Sequence, residues 1–163
     1  MPIKFEGNVT IDAPRAEVWN SILDLEILKR TAAHVPGMDI ERLDQIDEIH
    51  YEGTVTLGVA MIKGKYDGKL TILEKEPPAT LRLKGEGKGG GNWTSGDIAL
   101  TLSDQAGKTV MHYAGQGNLA GPLASLGQRL VDTVGRQFID QGTKFLAEEI
   151  ATRYRAKTGT AHA

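Results

Sequence analysis

Residues 122–156 read PLASLGQRLVDTVGRQFIDQGTKFLAEEIATRYRA. The spacing predicts one helix over this whole stretch, roughly 50 Å long at 1.5 Å per residue. Leu123, Gly127, Val131, Val134, Phe138, Gly142, Phe145 and Glu149 recur at offsets of four or three, so they form a single stripe on the helical wheel. That stripe needs a surface to lie on. Asp132 with Arg136 and Asp140 with Lys144 are i,i+4 pairs that favour the helix without marking a site.

The surface is written in the residues before it. From Met38 to Leu119 apolar and polar residues alternate, with breaks at Gly, Asp, Asn and Pro77-Pro78. This is the pattern of about six successive antiparallel strands. Their inner faces read Ile49, Tyr51, Val55, Leu57; Ile62, Tyr66, Leu70, Ile72; Leu81, Leu83; Ile98, Leu100, Leu102; and Met111, Tyr113, Leu119. Outward positions are mostly charged or threonine, so one face is wet. At the N-terminus Ile3, Phe5, Val9 and Ile11 alternate with Lys4, Glu6, Asn8 and Thr10, a further half-buried strand. Asp12-Ala13-Pro14 then reads as a helix start, with the carboxylate as cap. A second short helix is expected around Glu26 to Ala33, ending at Pro36-Gly37. The expected class is α+β. A curved antiparallel sheet of about seven strands wraps a long C-terminal helix, and two short helices follow strand 1. The expected organisation is a single domain over 1–157 and a short disordered tail over 158–163.

Composition narrows the function. The 163 residues carry 19 basic and 21 acidic side chains, a net charge of -2, so no positive field draws nucleic acid. The absence of cysteine removes thiol catalysis, disulfides and thiolate metal sites, and fits a reducing cytoplasm. The first residues run straight into a strand with no export signal, and no apolar run is long enough to span a bilayer. A cytoplasmic placement is expected, with membrane contact at most peripheral, at the inner face.

Twenty glycines exceed the usual share of about 7%. Gly7, Gly53, Gly64, Gly68, Gly85, Gly87, Gly96, Gly115 and Gly117 fall on inner-face parity, and Gly127 and Gly142 on the helix stripe with Gly135 beside it. Two compatible readings stand. Glycine lets strands bend and a helix approach a sheet, and missing side chains on facing walls leave a void for an apolar ligand.

Motifs of chemistry are few. Gly85-Glu86-Gly87-Lys88-Gly89-Gly90 satisfies the dinucleotide pattern, but a strand rather than a helix follows it, so the phosphate-binding geometry is missing. His34, His50, His112 and His162 are scattered, with no metal-ligand spacing. His50 and Glu52 read as a solvated pair. No nucleophile, base and orienter assemble, so no catalytic residue, metal site or cofactor is assigned. Lys63, Lys65, Lys69, Lys75, Arg82, Lys84 and Lys88 place positive charge on the outer face, a solvated surface or a contact for acidic partners or headgroups. The parity of Trp93 points it outward unless the glycine run before it forms a bulge.

Several segments then narrow the assignment: Phe5-Glu6-Gly7 with Val9, Ile11-Asp12-Ala13-Pro14, Val18-Trp19, Val35-Pro36-Gly37, Tyr51-Glu52-Gly53, Ile62-Lys63-Gly64-Lys65-Tyr66 with Gly68-Lys69, Gly85 to Gly91, Ser95-Gly96 and Leu126-Gly127-Gln128-Arg129-Leu130. Together they resemble the carbon monoxide dehydrogenase G-subunit family, within the START and Bet v 1-like superfamily of helix-grip folds. The resemblance runs from about Ile3 to Glu149. It implies an accessory protein of molybdenum-containing hydroxylases such as aerobic carbon monoxide dehydrogenase, implicated in membrane recruitment and in binding respiratory quinone, and not a catalytic component. Two departures are visible. Ala60-Met61 stands where members often have Gly-Pro, and the chain ends at Thr158-Gly159-Thr160-Ala161-His162-Ala163 without an apolar tail.

The expectation is a non-catalytic binder of an apolar, quinone-like molecule in a cavity between helix and sheet. The expected lining is Ile22, Tyr66, Met111, Tyr113, Val131, Val134, Gly135, Phe138 and Gly142. Two alternatives stay open: an enzyme of the cyclase or hydrolase kind, and a protein-interaction module using the lysine-rich face.

Overall fold

The computed structural model describes residues 1–58 and 62–159. The Ala60-Met61 segment and the last four residues of the tail lie outside them. In chain order the elements are β1 (Pro2–Ile11), α1 (Arg15–Ser21), α2 (Leu25–His34), β2 (Met38–Gln45), β3 (His50–Leu57), β4 (Gly64–Glu76), β5 (Thr80–Gly89), β6 (Asn92–Gln105), β7 (Lys108–Ala120), a 3-10 segment (Pro122–Leu126) and α3 (Gln128–Gly159). The strands form one antiparallel sheet in the order β1-β7-β6-β5-β4-β3-β2. The expected α+β architecture is present: a meander of six strands, closed by the N-terminal strand pairing with the last one from Pro2 opposite Asn118 to Ile11 opposite Thr109.

Alternation sets which side is buried. Ile11, Leu81, Leu102 and Met111 face inward at 2% exposure or less, while Lys4, Glu6 and Thr10 on β1 face solvent. β4 carries a register shift between Ile72 and Glu74, and Leu73, outward by alternation after Ile72, is 41% exposed. Ile49, expected on the inner face, lies ahead of β3 in the turn and is 45% exposed.

The short helices differ in how they start. Pro14 occupies the N-cap of α1, with no side-chain cap, so Asp12 does not play the capping role expected of it. At α2 the carboxylate of Asp24 accepts the Ile27 N–H at 3.1 Å, satisfying one donor that the helix leaves unpaired. The buried Thr109 hydroxyl donates to the Ala13 carbonyl at 2.8 Å, tying the turn after β1 to the start of β7.

The C-terminal stretch is not one helix. Residues 122–126 form a 3-10 segment, Gly127 adopts φ +91°, and α3 begins only after it. This conformation suits glycine and breaks the phase of the wheel. Along α3 the buried residues are Ala147, Ile150 and Ala151, with Ile139, Leu146 and Tyr154 packed against the core. These positions lie one residue round from the expected stripe. Phe145 and Glu149 instead face α2: the His34 ring stacks on Phe145 at 5.5 Å between centroids, and its Nε2 lies 3.1 Å from Glu149 Oε1. The helix runs through Gly159, so the expected domain end at 157 falls inside it.

The glycines divide by environment. Gly53 pairs with Gly68 and Gly68 with Gly87, while Gly85 pairs with Gly96 and Gly96 with Gly117, giving two glycine rows across neighbouring strands. A Cβ on Gly96 would meet the Gln116 carbonyl oxygen at 2.5 Å. Adjacent backbones therefore close over the inner face, and the sheet bends there. At Gly7 the vacated space holds the Tyr113 ring, and at Gly115 the Phe5 ring. Gly135 and Gly142 are different, since nothing lies within 4 Å of a Cβ built on either.

Candidate ligand-binding site

The first half of α3 carries no buried residue, and an apolar cavity of 260 Å³ lies along it. α3 contributes Leu130, Val131, Val134, Gly135 and Phe138; the 3-10 segment contributes Leu123 and Leu126. Opposite are Ile3 of β1, Leu119 of β7, Leu57 at the end of β3, and Ile62. None of these side chains is polar. Such a wall offers burial and no hydrogen bond, so it suits a hydrocarbon portion of a ligand. A second apolar recess of 230 Å³ lies on the same face of the sheet, its apolar walls including Ile40, Leu43, Tyr51, Val55 and Leu70. Val55 of this recess and Leu57 of the cavity stand two residues apart on one face of β3.

Of the nine residues expected at the site, Val131, Val134, Gly135 and Phe138 come together in the cavity. Ile22, Met111 and Tyr113 sit in the closed core at 4%, 1% and 6% exposure, where packed neighbours leave no room. Tyr66 is the cross-strand partner of Val55, and its ring lies against the Gly89 backbone rather than in the cavity wall. Gly142 borders open space farther along α3 and lines neither recess. Leu126 and Leu130 fall outside the expected stripe, which runs through Gly127 and Val131, although Leu130 stands four residues before Val134 on the same face of α3. Ile3, Leu57 and Leu119 carried a signal, as inner-face residues of their strands.

Titratable groups do not converge here. His34 bonds Glu149 as described; His50 Nδ1 lies 2.8 Å from Asp47 rather than on Glu52; and His112 Nδ1 lies 2.9 Å from Asn8 Oδ1. Burial pushes the Tyr51 hydroxyl above the usual tyrosine range. The pattern Gly85 to Gly90 follows β5 into the turn before β6, with no helix behind it. Trp93 points outward, 50% exposed, opposite Lys88 on the neighbouring strand. On the same outer face Lys65 pairs with Glu41 at 3.0 Å, Arg82 with Glu74 at 2.8 Å and Lys84 with Glu86 at 3.3 Å, so three of the seven cations named on that face have a carboxylate partner. Among the described residues no group of three or more His, Asp or Glu is placed to hold a metal ion, and no helix is long and apolar enough to cross a membrane.

The family model for the G subunit of carbon monoxide dehydrogenase (CoxG) matches residues 7–151. The chain belongs to the CoxG family. The match takes in nearly the whole sheet and most of α3, including the whole α3 portion of the cavity wall, so both recesses fall largely within the CoxG region. Similar solved structures include a conserved protein from Geobacillus kaustophilus, 26% identical, with TM-score 0.81, covering 91% of this chain and 95% of that one. A protein from Chromobacterium violaceum is 16% identical with TM-score 0.68, over 91% of this chain and 97% of that one. One from Thermus thermophilus is 16% identical with TM-score 0.67, over 92% and 98%. The latter two share the fold. No curated protein matches the CoxG chain in sequence.

Proposed function

We propose that this CoxG chain is a non-catalytic carrier of an apolar small molecule, a respiratory quinone, that serves a molybdenum hydroxylase such as aerobic carbon monoxide dehydrogenase. The observation that carries this is the 260 Å³ cavity walled by aliphatic side chains and Phe138. A quinone's isoprenoid chain is the part such a wall recognises, because each buried methylene contributes about 0.8 kcal/mol and no polar group is left unpaired. Membership of the CoxG family supports the link to the dehydrogenase. The enzyme alternative draws no support from the cavity, whose described walls present no titratable side chain to a substrate. Against the interaction-module alternative stand the carboxylates that pair with Lys65, Arg82 and Lys84.

Gly135 offers the test. It lines the cavity and has open space in front of it, so leucine there fills ligand volume while improving helix propensity by somewhat under 1 kcal/mol. Titration with decylubiquinone should show binding to the wild type and at least tenfold weaker binding to Gly135→Leu, with an unlowered melting temperature. Equal binding by both proteins would refute the cavity as the site.

A further inference from the structure

The glycine turn before β6 and the 3-10 segment meet at one side chain. Asn92 is 9% exposed. Its Nδ2 donates to the Gly89 carbonyl at 3.1 Å, and its Oδ1 accepts the Leu123 N–H at 2.7 Å. Leu123 opens a helical segment, where N–H groups lack an internal partner, so Asn92 caps that segment from thirty-one residues away. The seating is close: a Cβ on Gly121 would meet Asn92 Cα at 2.7 Å.

The segment's ends are anchored, and a glycine stands at each joint. Before it, Leu119 N–H donates to the Met1 carbonyl at 2.8 Å. After it, Gln128 Nε2 donates to the Pro2 carbonyl at 2.7 Å. Between these anchors stand Gly121 at φ +109° and Gly127 at φ +91°, the second with nothing within 4 Å. The five residues they bracket carry Leu123 and Leu126 into the cavity wall.

We propose, on the carrier reading above, that Pro122–Leu126 is a strap over the apolar cavity, hinged at Gly121 and Gly127 and held shut by Asn92. Ligand passes when this latch opens, and the sheet does not move. A short segment tied by one side chain and two leucines opens at far lower cost than the β-strands beside it, and the glycines absorb the backbone rotation. Asn92 is thus a positioning residue, touching the strap and not the ligand.

Hydrogen exchange and stopped-flow release of decylubiquinone test the strap. In the wild type the Leu123 amide should exchange more than tenfold faster than the β7 amides, and slow when decylubiquinone is bound. Asn92→Ala should speed both Leu123 exchange and decylubiquinone release by on the order of five- to tenfold. Protection of Leu123 equal to that of β7, or faster exchange in Asn92→Ala with an unchanged release rate, would overturn the proposal. If Asn92→Ala does not fold, the wild-type comparison decides. If decylubiquinone does not bind at all, the carrier reading fails and the exchange data alone decide whether the strap opens.

Discussion

Asp24 joins two helices through one carboxylate. It caps α2 through the Ile27 N–H and lies 3.2 Å from Arg153 of α3. Partial burial works to raise its pKa, but the Ile27 hydrogen bond and the Arg153 guanidinium outweigh it and hold the group below the usual aspartate value. The stability it contributes is therefore full above the ordinary aspartate pKa and is lost as pH falls through the lower folded one. Asp24→Ala should cost about 1 kcal/mol at neutral pH, and Asp24→Asn, which can still cap, about 0.5 kcal/mol. Melts of Asp24→Asn and wild type should converge as acidification passes below the lowered Asp24 value. At this scale the sequence is a partial guide. Asp12-Ala13-Pro14 looks like a start signal, yet the capping carboxylate belongs to the next helix. Nothing near Asn92 announces a partner thirty-one residues away, because that contact exists only once β6 and the 3-10 segment are packed.

At the scale of elements, the strands were legible because alternation has a fixed period and the wet face keeps it clean. The glycines were legible as positions but not as spaces. Whether a missing side chain leaves a void depends on what leans into it: a Tyr113 ring at Gly7, a neighbouring backbone at Gly96, nothing at Gly135. Gly96→Ala should cost about 1–3 kcal/mol, since its Cβ would press on Gln116 and Gly117 backbone that has no rotamer to move. Gly58→Ala, where nothing lies within 4 Å, should be neutral or stabilise by up to about 1 kcal/mol. Urea denaturation of the two variants reads the difference. The C-terminal stripe was half legible: Leu123, Val131, Val134 and Phe138 share the cavity, while α2 claims Phe145 and Glu149.

For the whole molecule, the consequence is an uneven α3. Its second half closes the core through Ile150, which is 1% exposed, while its first half borders the cavity. Ile150→Ala should cost about 2–5 kcal/mol, whereas Val134→Ala, half-buried at the cavity wall, should cost about 1 kcal/mol or less. Chemical denaturation measures both, and similar costs would mean that the first half packs as tightly as the second. The sheet order carries a different consequence, concerning synthesis. Every pairing in the meander joins consecutive strands, but β1 pairs only with β7, Pro2 opposite Asn118. As the chain leaves the ribosome, β1 emerges well before β7 and waits through the whole meander for its neighbour. Such distant pairing forms slowly, and a waiting strand is open to wrong partners. Lys4 and Glu6, alternating with the apolar face, give that strand a charged edge during the wait, and charge is what keeps an unpaired strand from adding to another chain.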